Sequence, residues 1–355
     1  RHPAYVDVEL QLHGVVGSNS IPNQAALLSG CAAVRQDART KPPLGGLKLV
    51  ALDERIGMQL LCDERGDDDD DSDDDDHDDH DDMADEGGRR GASPASRRVV
   101  GRASTSSPSR SRSTATAASR WLFDIARRRG YATYFGEEIC TTGSPWAVDG
   151  LINASGVRAA IDHELHALHC RLSERSGRGY KSFLPQDGAP AYAHLRWPLT
   201  QLEQMWRRYT DGVPKFAVYS ANVVHEGQYG KDLAQHMTGL STYDGYLADF
   251  LDGLLRRPEA DTLVLVHGDH GVQDGPKILD LGTQWEQRAP WARLLVPRAL
   301  VPDVARLRTN AQRLSTAHDL YATLRGVLLG RPGRRQSSRA QRHGLTSSEV
   351  RLRAA

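Results

Sequence analysis

The sequence predicts an α/β fold, because short apolar runs alternate along the chain with segments of helical periodicity. Residues 215–219 (KFAVY) and 262–266 (TLVLV) are typical of buried strands, and apolar residues at helical spacing over 240–254 join them. A strand, a helix and a second strand in this order form a βαβ unit. Its right-handed crossover predicts that both strands end at the same edge of one largely parallel sheet.

The other elements are predicted by the same signals together with residues that start or stop a helix. The spacing of Thr200 and Glu203 is that of a capping box, so a helix is expected to start at Thr200. Ser315 or Thr316 is suited to cap the last helix. The remaining predicted elements are a turn and short helix over 17–30, a helix over 121–129, strands over 131–135 and 292–296, and an end of the last helix at Gly330.

The chain has 355 residues and a formal net charge of −1, and this near-neutrality conceals one strongly biased segment. Residues 67–86 are almost entirely acidic, and a stretch rich in Ser, Ala, Gly and Arg follows them. The two blocks nearly cancel in charge, so composition gives no argument for binding nucleic acid. The segment lacks the apolar surface that ordering requires. We therefore predict one α/β domain formed by residues 1–64 and 120–330, interrupted by a disordered insertion over 65–119 and followed by a disordered basic tail over 331–355.

The cysteines leave two alternatives open. Cys31, Cys62, Cys140 and Cys170 are widely spaced and form no CxxC pair, so they are either two disulfides of an oxidising compartment or four buried thiols. The sequon Asn153-Ala154-Ser155 is consistent with a glycoprotein of the secretory pathway or the extracellular space. The sequence shows neither a signal peptide nor an apolar run long enough to span a membrane.

Asp269 and His270 follow the strand at 262–266 directly and lie between Gly268 and Gly271. A strand of an α/β sheet delivers such residues to the edge where ligands bind. A carboxylate beside an imidazole is a common pair of ligands for a divalent metal, with zinc preferred over calcium. The alternative is a polar turn in which the aspartate caps the next turn beside a solvent-exposed histidine.

Ser20 is the second candidate, because it lies just before Pro22 at the predicted start of a helix. There its hydroxyl is next to backbone N–H groups that can bind a tetrahedral anion. The alternative is a plain serine N-cap. A serine hydroxyl is a weak nucleophile unless a base or a metal activates it, and Asp269 and His270 would supply part of a metal site if the two motifs converge.

Four motifs in order resemble the alkaline phosphatase superfamily. Residues 20–30 (SIPNQAALLSG) are similar to the nucleophile motif of the sulfatases and nucleotide pyrophosphatases in that superfamily. The segment VHGDHG at 266–271 resembles the family's strand end, and residues 286–297 resemble the stretch after it. Residues 318–324 (HDLYATL) resemble its closing helix.

Within the superfamily the chain is most similar to a sulfatase-like eukaryotic family of unknown function. That family's pattern is matched at 16–23 (VGSNSIPN), from Trp121 to Tyr131, and at 224–226 (VHE). The resemblance implies a largely parallel sheet flanked by helices. It also implies a metal-dependent hydrolase of phosphate or sulfate esters, acting on a small-molecule, glycan-linked or lipid-linked ester.

The resemblance also implies roles for individual residues. Ser20 would be the nucleophile and share the metal, and Asn23 would help to hold the oxyanion. Asp269 and His270 would be ligands of one metal, and His225 would ligate a second metal or contact the leaving group. The alignment of Lys277 with a substrate-contacting lysine is loose, and Asp244 is expected on a helix surface.

The departures from the family pattern support a rival hypothesis. The superfamily carries metal-binding aspartates on a strand upstream of the nucleophile, whereas here only Asp7 precedes Ser20, without the expected apolar strand before it. The domain is therefore expected to lack that strand, and Ala221 stands where the two-zinc members have an aspartate. The alternative function is a catalytically inactive module that binds an anion or a partner. His163, His166 and His169 are expected on an exposed helix face rather than at a metal.

Overall fold

A computed structural model of the chain describes residues 4–35, 47–51, 58–63, 120–138, 148–165, 196–209, 212–222, 233–256, 262–271 and 281–330. The predicted insertion over 65–119 and the predicted tail over 331–355 lie outside the described residues. The strand over 58–63, which precedes the insertion, is described. No helix in these ranges is both long enough and apolar enough to cross a bilayer.

The strands of the described residues are β1 (Tyr5–Glu9), β2 (Leu12–Gly14), β3 (Ala32–Arg35), β4 (Leu47–Ala51), β5 (Met58–Asp63), β6 (Ala132–Glu137), β7 (His163–Glu164), β8 (Lys215–Ser220), β9 (Val264–His267), β10 (Ala292–Pro297) and β11 (Leu314–Thr316). The α-helices are α1 (Ser20–Ser29), α2 (Leu122–Arg128), α3 (Val148–Ser155), α4 (Arg196–Arg208), α5 (Leu233–Leu255), α6 (Leu281–Arg288), α7 (Val304–Asn310) and α8 (Ala317–Leu329). Strands and helices alternate through much of the chain, so the predicted α/β class is confirmed.

The strands pair in four small sheets rather than in one. The sheets β7-β6-β8 and β11-β2 are parallel, whereas β1-β10-β9 and β3-β5-β4 are antiparallel. Within the described residues, β8 and β9 therefore belong to different sheets, although they are joined by α5 as the sequence predicts. Apolar periodicity identifies a strand but not its partner, and an apolar strand such as β9 is compatible with either direction of pairing.

Most predicted elements are found within a few residues of their expected bounds, but the predicted start of α4 is wrong. The helix begins at Arg196, and the Thr200 hydroxyl donates a hydrogen bond to the Arg196 carbonyl (3.0 Å) from inside the helix. Pro198 lies in the first turn, where its missing N–H costs nothing. The predicted cap of α8 is correct at Thr316, whose side chain and that of Asp319 form a reciprocal capping box.

One apolar core joins the parts of the chain that precede and follow the predicted insertion. Its buried members include Leu60 and the disulfide-bonded Cys31 and Cys62 on one side, and Trp121 and Phe135 on the other. The Cys31–Cys62 disulfide decides between the two alternatives for this pair, whereas Cys140 and Cys170 lie outside the described residues.

Helix α1 is held between two cores. Ile21, Ala25 and Leu28 pack in the core that contains the disulfide, whereas Ala26 and Leu27 pack in a second core with residues of β1, β10 and α8. Burial on opposite sides fixes the helix axis, because turning the helix would expose one of the two apolar faces. The position of Ser20 at the start of α1 is therefore determined by packing.

Candidate functional site

Ser20 is the first residue of α1, and the N-cap position belongs to Asn19. Asn19 has an extended backbone (φ −139°, ψ 178°), and its side chain makes no capping hydrogen bond. The expectation of a plain serine N-cap is therefore wrong. The first N–H groups of a helix have no acceptor within the helix, so the Ser20 hydroxyl stands at its positive end, as the sequence predicts.

The buried amide of Asn23 braces the turn that leads to Ser20. Its Oδ1 accepts hydrogen bonds from the N–H groups of Val16 (2.7 Å) and Gly17 (3.2 Å). Its Nδ2 donates to the carbonyls of Gly17 (2.9 Å) and Asn19 (2.8 Å). These four bonds use the full capacity of a side-chain amide. The geometry thus favours a positioning role for Asn23, and the direct oxyanion contact implied by the resemblance stays a prediction.

His270 faces Ser20 from the loop after β9. Its Nδ1 lies 2.7 Å from the Gly271 carbonyl, which can only accept, so Nδ1 is the donor there and Nε2 is the acceptor nitrogen of the neutral ring. This Nε2 lies 3.1 Å from the Ser20 Oγ and can accept the hydroxyl proton. An Nδ1–H group held by a backbone carbonyl is also how a metal-ligating histidine is commonly oriented.

Asp269 contributes a carboxylate to the same place. Its Oδ1 accepts a hydrogen bond from the His270 N–H (3.0 Å), and its Oδ2 lies 3.6 Å from the His270 Nε2. The Ser20 Oγ, the His270 Nε2 and the Asp269 Oδ2 are all electron-pair donors. Their chemistry fits a divalent cation, for which oxygen and imidazole nitrogen are ordinary ligands. The part of the chain that the structure describes contains no group of three or more His, Cys, Asp or Glu side chains suited to hold a metal.

The exposure of the two side chains agrees with a ligand-binding role. The side chain of His270 is 9% exposed and that of Asp269 is 25% exposed. The alternative of a solvent-exposed histidine in a polar turn is therefore wrong for His270. The imidazole is thus largely buried, whereas the carboxylate keeps partial access to solvent.

Gly271 lets the backbone of α6 lie against the loop that carries His270. Its N–H donates to the Gln287 carbonyl (3.2 Å), and a Cβ at this position would lie 2.2 Å from the Glu286 carbonyl oxygen. Only glycine allows this approach. Helix α6 thus supports the segment from Gly268 to Gly271 from behind.

Two further histidines near this loop have lowered pKa values, and sequence reasoning did not single them out: His13 is buried, and His267 is half-buried. Burial, followed by the charge of His267, lowers the pKa of His13 to about 4, and the His13 Nδ1 lies 3.2 Å from the Ser315 Oγ. Burial lowers the pKa of His267, while its hydrogen bond to the Gly268 carbonyl opposes the shift. A histidine in a three-residue strand such as β2 gives no periodic signal that predicts its burial.

Several sequence candidates lie elsewhere or are not described. His225, the predicted second metal ligand or leaving-group contact, and Lys277 lie outside the described residues. Asp7 lies on β1. Both oxygens of its carboxylate accept hydrogen bonds from the Arg293 guanidinium, so this carboxylate already has a charged partner. Asp244 is exposed on α5, as expected.

His163 is not on a helix, contrary to expectation. It lies on β7, and its ring bonds to the Tyr209 hydroxyl. His166 and His169 lie outside the described residues. In the sequon, the Asn153 amide donates to Asp149 Oδ2 (3.2 Å), so glycosylation there stays a prediction.

Most of the chain matches one known protein family. Residues 99–349 match a family described as "Protein of unknown function (DUF229)". No curated protein matches the chain. The matched range contains His225, Asp269 and His270, whereas Ser20 precedes it. The contact between the Ser20 Oγ and the His270 Nε2 therefore joins a residue outside the matched range to one inside it.

Proposed function

The chain belongs to the family Protein of unknown function (DUF229), and we propose that it is a metal-dependent hydrolase of phosphate or sulfate esters with Ser20 as nucleophile. The observation that carries this proposal is the 3.1 Å separation between the Ser20 Oγ and the His270 Nε2, with the Asp269 carboxylate beside them. A serine hydroxyl needs a base or a metal to attack at neutral pH. Here the His270 imidazole is a base beside the hydroxyl, and the imidazole and the Asp269 carboxylate together are groups that would hold a metal.

The arrangement differs from a Ser-His-Asp triad of acyl transfer. In a triad the carboxylate accepts the Nδ1–H of the histidine, on the side of the ring away from the serine. In this chain the Gly271 carbonyl takes that place, and Asp269 Oδ2 lies 3.6 Å from Nε2, the nitrogen that faces Ser20. Electron-pair donors that converge on the serine side support cation binding rather than a charge-stabilised imidazolium.

Each residue has a defined part in the proposed reaction. A divalent metal held by Asp269 and His270 would stabilise the alkoxide of Ser20 and offset negative charge on the ester. The Ser20 hydroxyl gives up its proton to solvent, its oxygen forms a bond to phosphorus or sulfur, and the bond to the leaving-group oxygen breaks, after which that oxygen takes a proton from water. A second water molecule attacks the same phosphorus or sulfur, the bond to the Ser20 oxygen breaks, inorganic phosphate or sulfate leaves, and the Ser20 oxygen takes up a proton to restore the hydroxyl. The positive end of α1 favours the anionic group throughout.

The resemblance supplies the finer assignment. We place the chain in the alkaline phosphatase superfamily, among its sulfatase-like members, with zinc preferred over calcium. Eukaryotic sulfatases of that superfamily convert a cysteine to formylglycine, whereas this chain has Ser20 at the nucleophile position. The serine therefore favours a phosphate ester over a sulfate ester, in a small-molecule, glycan-linked or lipid-linked substrate. His225 is the proposed contact for a second metal or for the leaving group.

The Cys31–Cys62 disulfide supports a further proposal on location. Disulfides persist in oxidising compartments and are rare in the cytosol. We therefore propose that the protein works in the secretory pathway or outside the cell, in agreement with the sequon at Asn153.

Hydrolysis of aryl phosphate and aryl sulfate esters by the full chain, with zinc or calcium added, tests this function. Ser20→Ala and Asp269→Ala are expected to abolish turnover, whereas Ser18→Ala, an exposed serine in the same turn, should retain it. Equal turnover in all four proteins would contradict the proposal. Binding of phosphate without turnover in any protein would favour the inactive anion-binding alternative.

A further inference from the structure

The end of β9 and the loop after it contain the dipeptide His-Gly twice, and Asp269 lies between the two copies. In both copies the ring of the histidine faces the carbonyl of the glycine that follows it. The His267 Nδ1 lies 3.0 Å from the Gly268 carbonyl. The His270 Nδ1 lies 2.7 Å from the Gly271 carbonyl. A carbonyl only accepts, so Nδ1 is the donor in each ring.

Both glycines are also held at their N–H groups, from outside the loop. The Gly268 N–H donates to the Trp291 carbonyl (2.8 Å). The Gly271 N–H donates to the Gln287 carbonyl (3.2 Å). A Cβ at Gly268 would lie 3.3 Å from the Pro290 Cβ, so this glycine is closely packed as well. Each glycine therefore has both of its backbone polar groups hydrogen-bonded, and the segment between them has little room to turn.

The His267 ring orients the peptide group through which the chain enters Asp269. The Gly268 carbonyl and the Asp269 N–H belong to one planar unit, so a hydrogen bond to this carbonyl fixes the orientation of that unit. A glycine reaches more backbone conformations than other residues, so without the bond the carbonyl at this position would turn more easily. The Asp269 carboxylate in turn accepts the His270 N–H (3.0 Å) and lies 3.6 Å from the Nε2 of the same residue.

We propose that His267 is a positioning residue of the candidate site: by holding the Gly268 carbonyl, its ring keeps the Asp269 carboxylate in place for a metal. This inference rests on the proposed ester hydrolysis, in which Asp269 and His270 hold the metal. The half-buried His267 ring stands on the last residue of β9, which pairs with Ala292 of β10. It acts on the site through the loop backbone and is not itself a ligand.

Two variants separate the hydrogen bond from the volume of the ring. In His267→Asn the amide Nδ2 is two bonds from Cβ, as Nδ1 is in histidine, so a donor to the Gly268 carbonyl is kept. His267→Phe keeps a ring and removes the donor. The matched control is His318→Phe, because the half-buried His318 ring also bonds to a glycine carbonyl, that of Gly30 at the opposite end of α1 from Ser20.

The first experiment needs neither metal nor activity. Hydrogen exchange of the full chain is measured at the His270 N–H, which reports on the Asp269 carboxylate because that group accepts it. His267→Phe is expected to speed this exchange by about two- to tenfold, the change that the loss of one hydrogen bond produces. His267→Asn and His318→Phe should exchange as slowly as the wild type. Equal exchange in His267→Phe and the wild type would overturn the inference.

The second experiment measures ester hydrolysis at saturating zinc. His267→Phe is expected to lower kcat by about 10- to 100-fold with little change in KM, as for groups that orient metal ligands. His267→Asn should restore most of kcat, and His318→Phe should match the wild type.

The two experiments together separate the inference from the proposed function. Full turnover in His267→Phe would overturn the positioning role and leave the proposed function standing. If the wild type hydrolyses no ester, the proposed function fails and the role of His267 in that reaction fails with it. The exchange of the His270 N–H then still decides whether the His267 ring holds Asp269 in place.

Discussion

The Ser20 Oγ lies 3.1 Å from the His270 Nε2, although the two residues are 250 positions apart in the chain. Ser20 is the first residue of α1, and His270 lies in the loop after β9. Two separate packing arrangements fix them: α1 is held between two cores, and the His270 loop rests on the backbone of α6 through Gly271. The site therefore depends on the packing of elements that are distant in sequence.

Metal binding should depend on Asp269. Asp269→Ala removes a carboxylate next to the His270 Nε2 and is expected to weaken zinc binding at the site by at least about 10- to 100-fold, because the loss of an outer-shell partner alone has an effect of that size. Calorimetric titration of the full chain measures this. Asp244→Ala, which removes an exposed carboxylate on α5, is the control, and weak binding to the acidic run of residues 67–86 is common to all proteins. Equal zinc affinity in Asp269→Ala and Asp244→Ala would contradict this prediction.

Asn23 is expected to be needed for the position of Ser20. Asn23→Ala removes four hydrogen bonds and leaves partly buried backbone groups of the 16–19 turn without this partner. A loss of roughly 2–4 kcal/mol in the free energy of unfolding is expected, with a fall in kcat. Denaturant unfolding and ester hydrolysis measure the two effects. Gln24→Ala on the same helix should change neither, and full activity in Asn23→Ala would argue against the bracing role.

Gly271→Ala should damage the site through α6. The added Cβ would lie 2.2 Å from the Glu286 carbonyl oxygen, a contact that the backbone can relieve only by moving α6 or the His270 loop. We expect a loss of about 1–3 kcal/mol in the free energy of unfolding, as for other overpacked positions, together with weaker zinc binding. Gly245→Ala on α5 meets open space and should stabilise the helix by up to about 1 kcal/mol. Equal changes in the free energy of unfolding for Gly271→Ala and Gly245→Ala would contradict a role for close packing at Gly271.

Much of the site could be predicted from sequence, because its chemistry lies in short local motifs. Ser20 before Pro22 and the pair Asp269-His270 after an apolar strand were recognisable without coordinates. Sequence alone leaves their convergence as a condition under which a metal site would activate the serine, and the structure supplies the distance.

Other features could not be predicted, for physical reasons. The direction of the Asn23 amide depends on the backbone of the turn before it, whereas the family resemblance implies an oxyanion contact. The Glu138 carboxylate meets Tyr219 across 81 positions, and neither residue belongs to a motif. The start of α4 at Arg196 was missed because Thr200 and Glu203 match a capping box that the helix does not use.

Acid should destabilise the fold through His13. Burial lowers the pKa of His13 in the folded chain from 6.5 to about 4. Between these values the unfolded chain binds more protons than the folded chain, so the stability that neutral His13 allows is present above pH 6.5 and is lost as the pH falls towards 4. At pH values below 4, this group alone lowers the free energy of unfolding by roughly 3 kcal/mol relative to pH 7.

Denaturant unfolding of the wild type and of His13→Gln at pH 7 and pH 5 measures this contribution. The wild type should lose more stability than the variant between the two pH values, by roughly 2 kcal/mol. Because partial burial also lowers the pKa values of His267 and His318, only the difference between the two proteins reports on His13. The same pH dependence in both proteins would contradict the assignment.

The most direct test of the central claim is to trap the covalent intermediate. The full chain is mixed with an aryl phosphate, quenched in acid during turnover and digested, and the labelled peptide is identified by mass spectrometry. The account predicts a phosphoryl group on Ser20 and none on Ser18, and no label in Ser20→Ala. Turnover with the phosphoryl group on another residue, or with unlabelled Ser20 under conditions that trap phosphoserine, would contradict it.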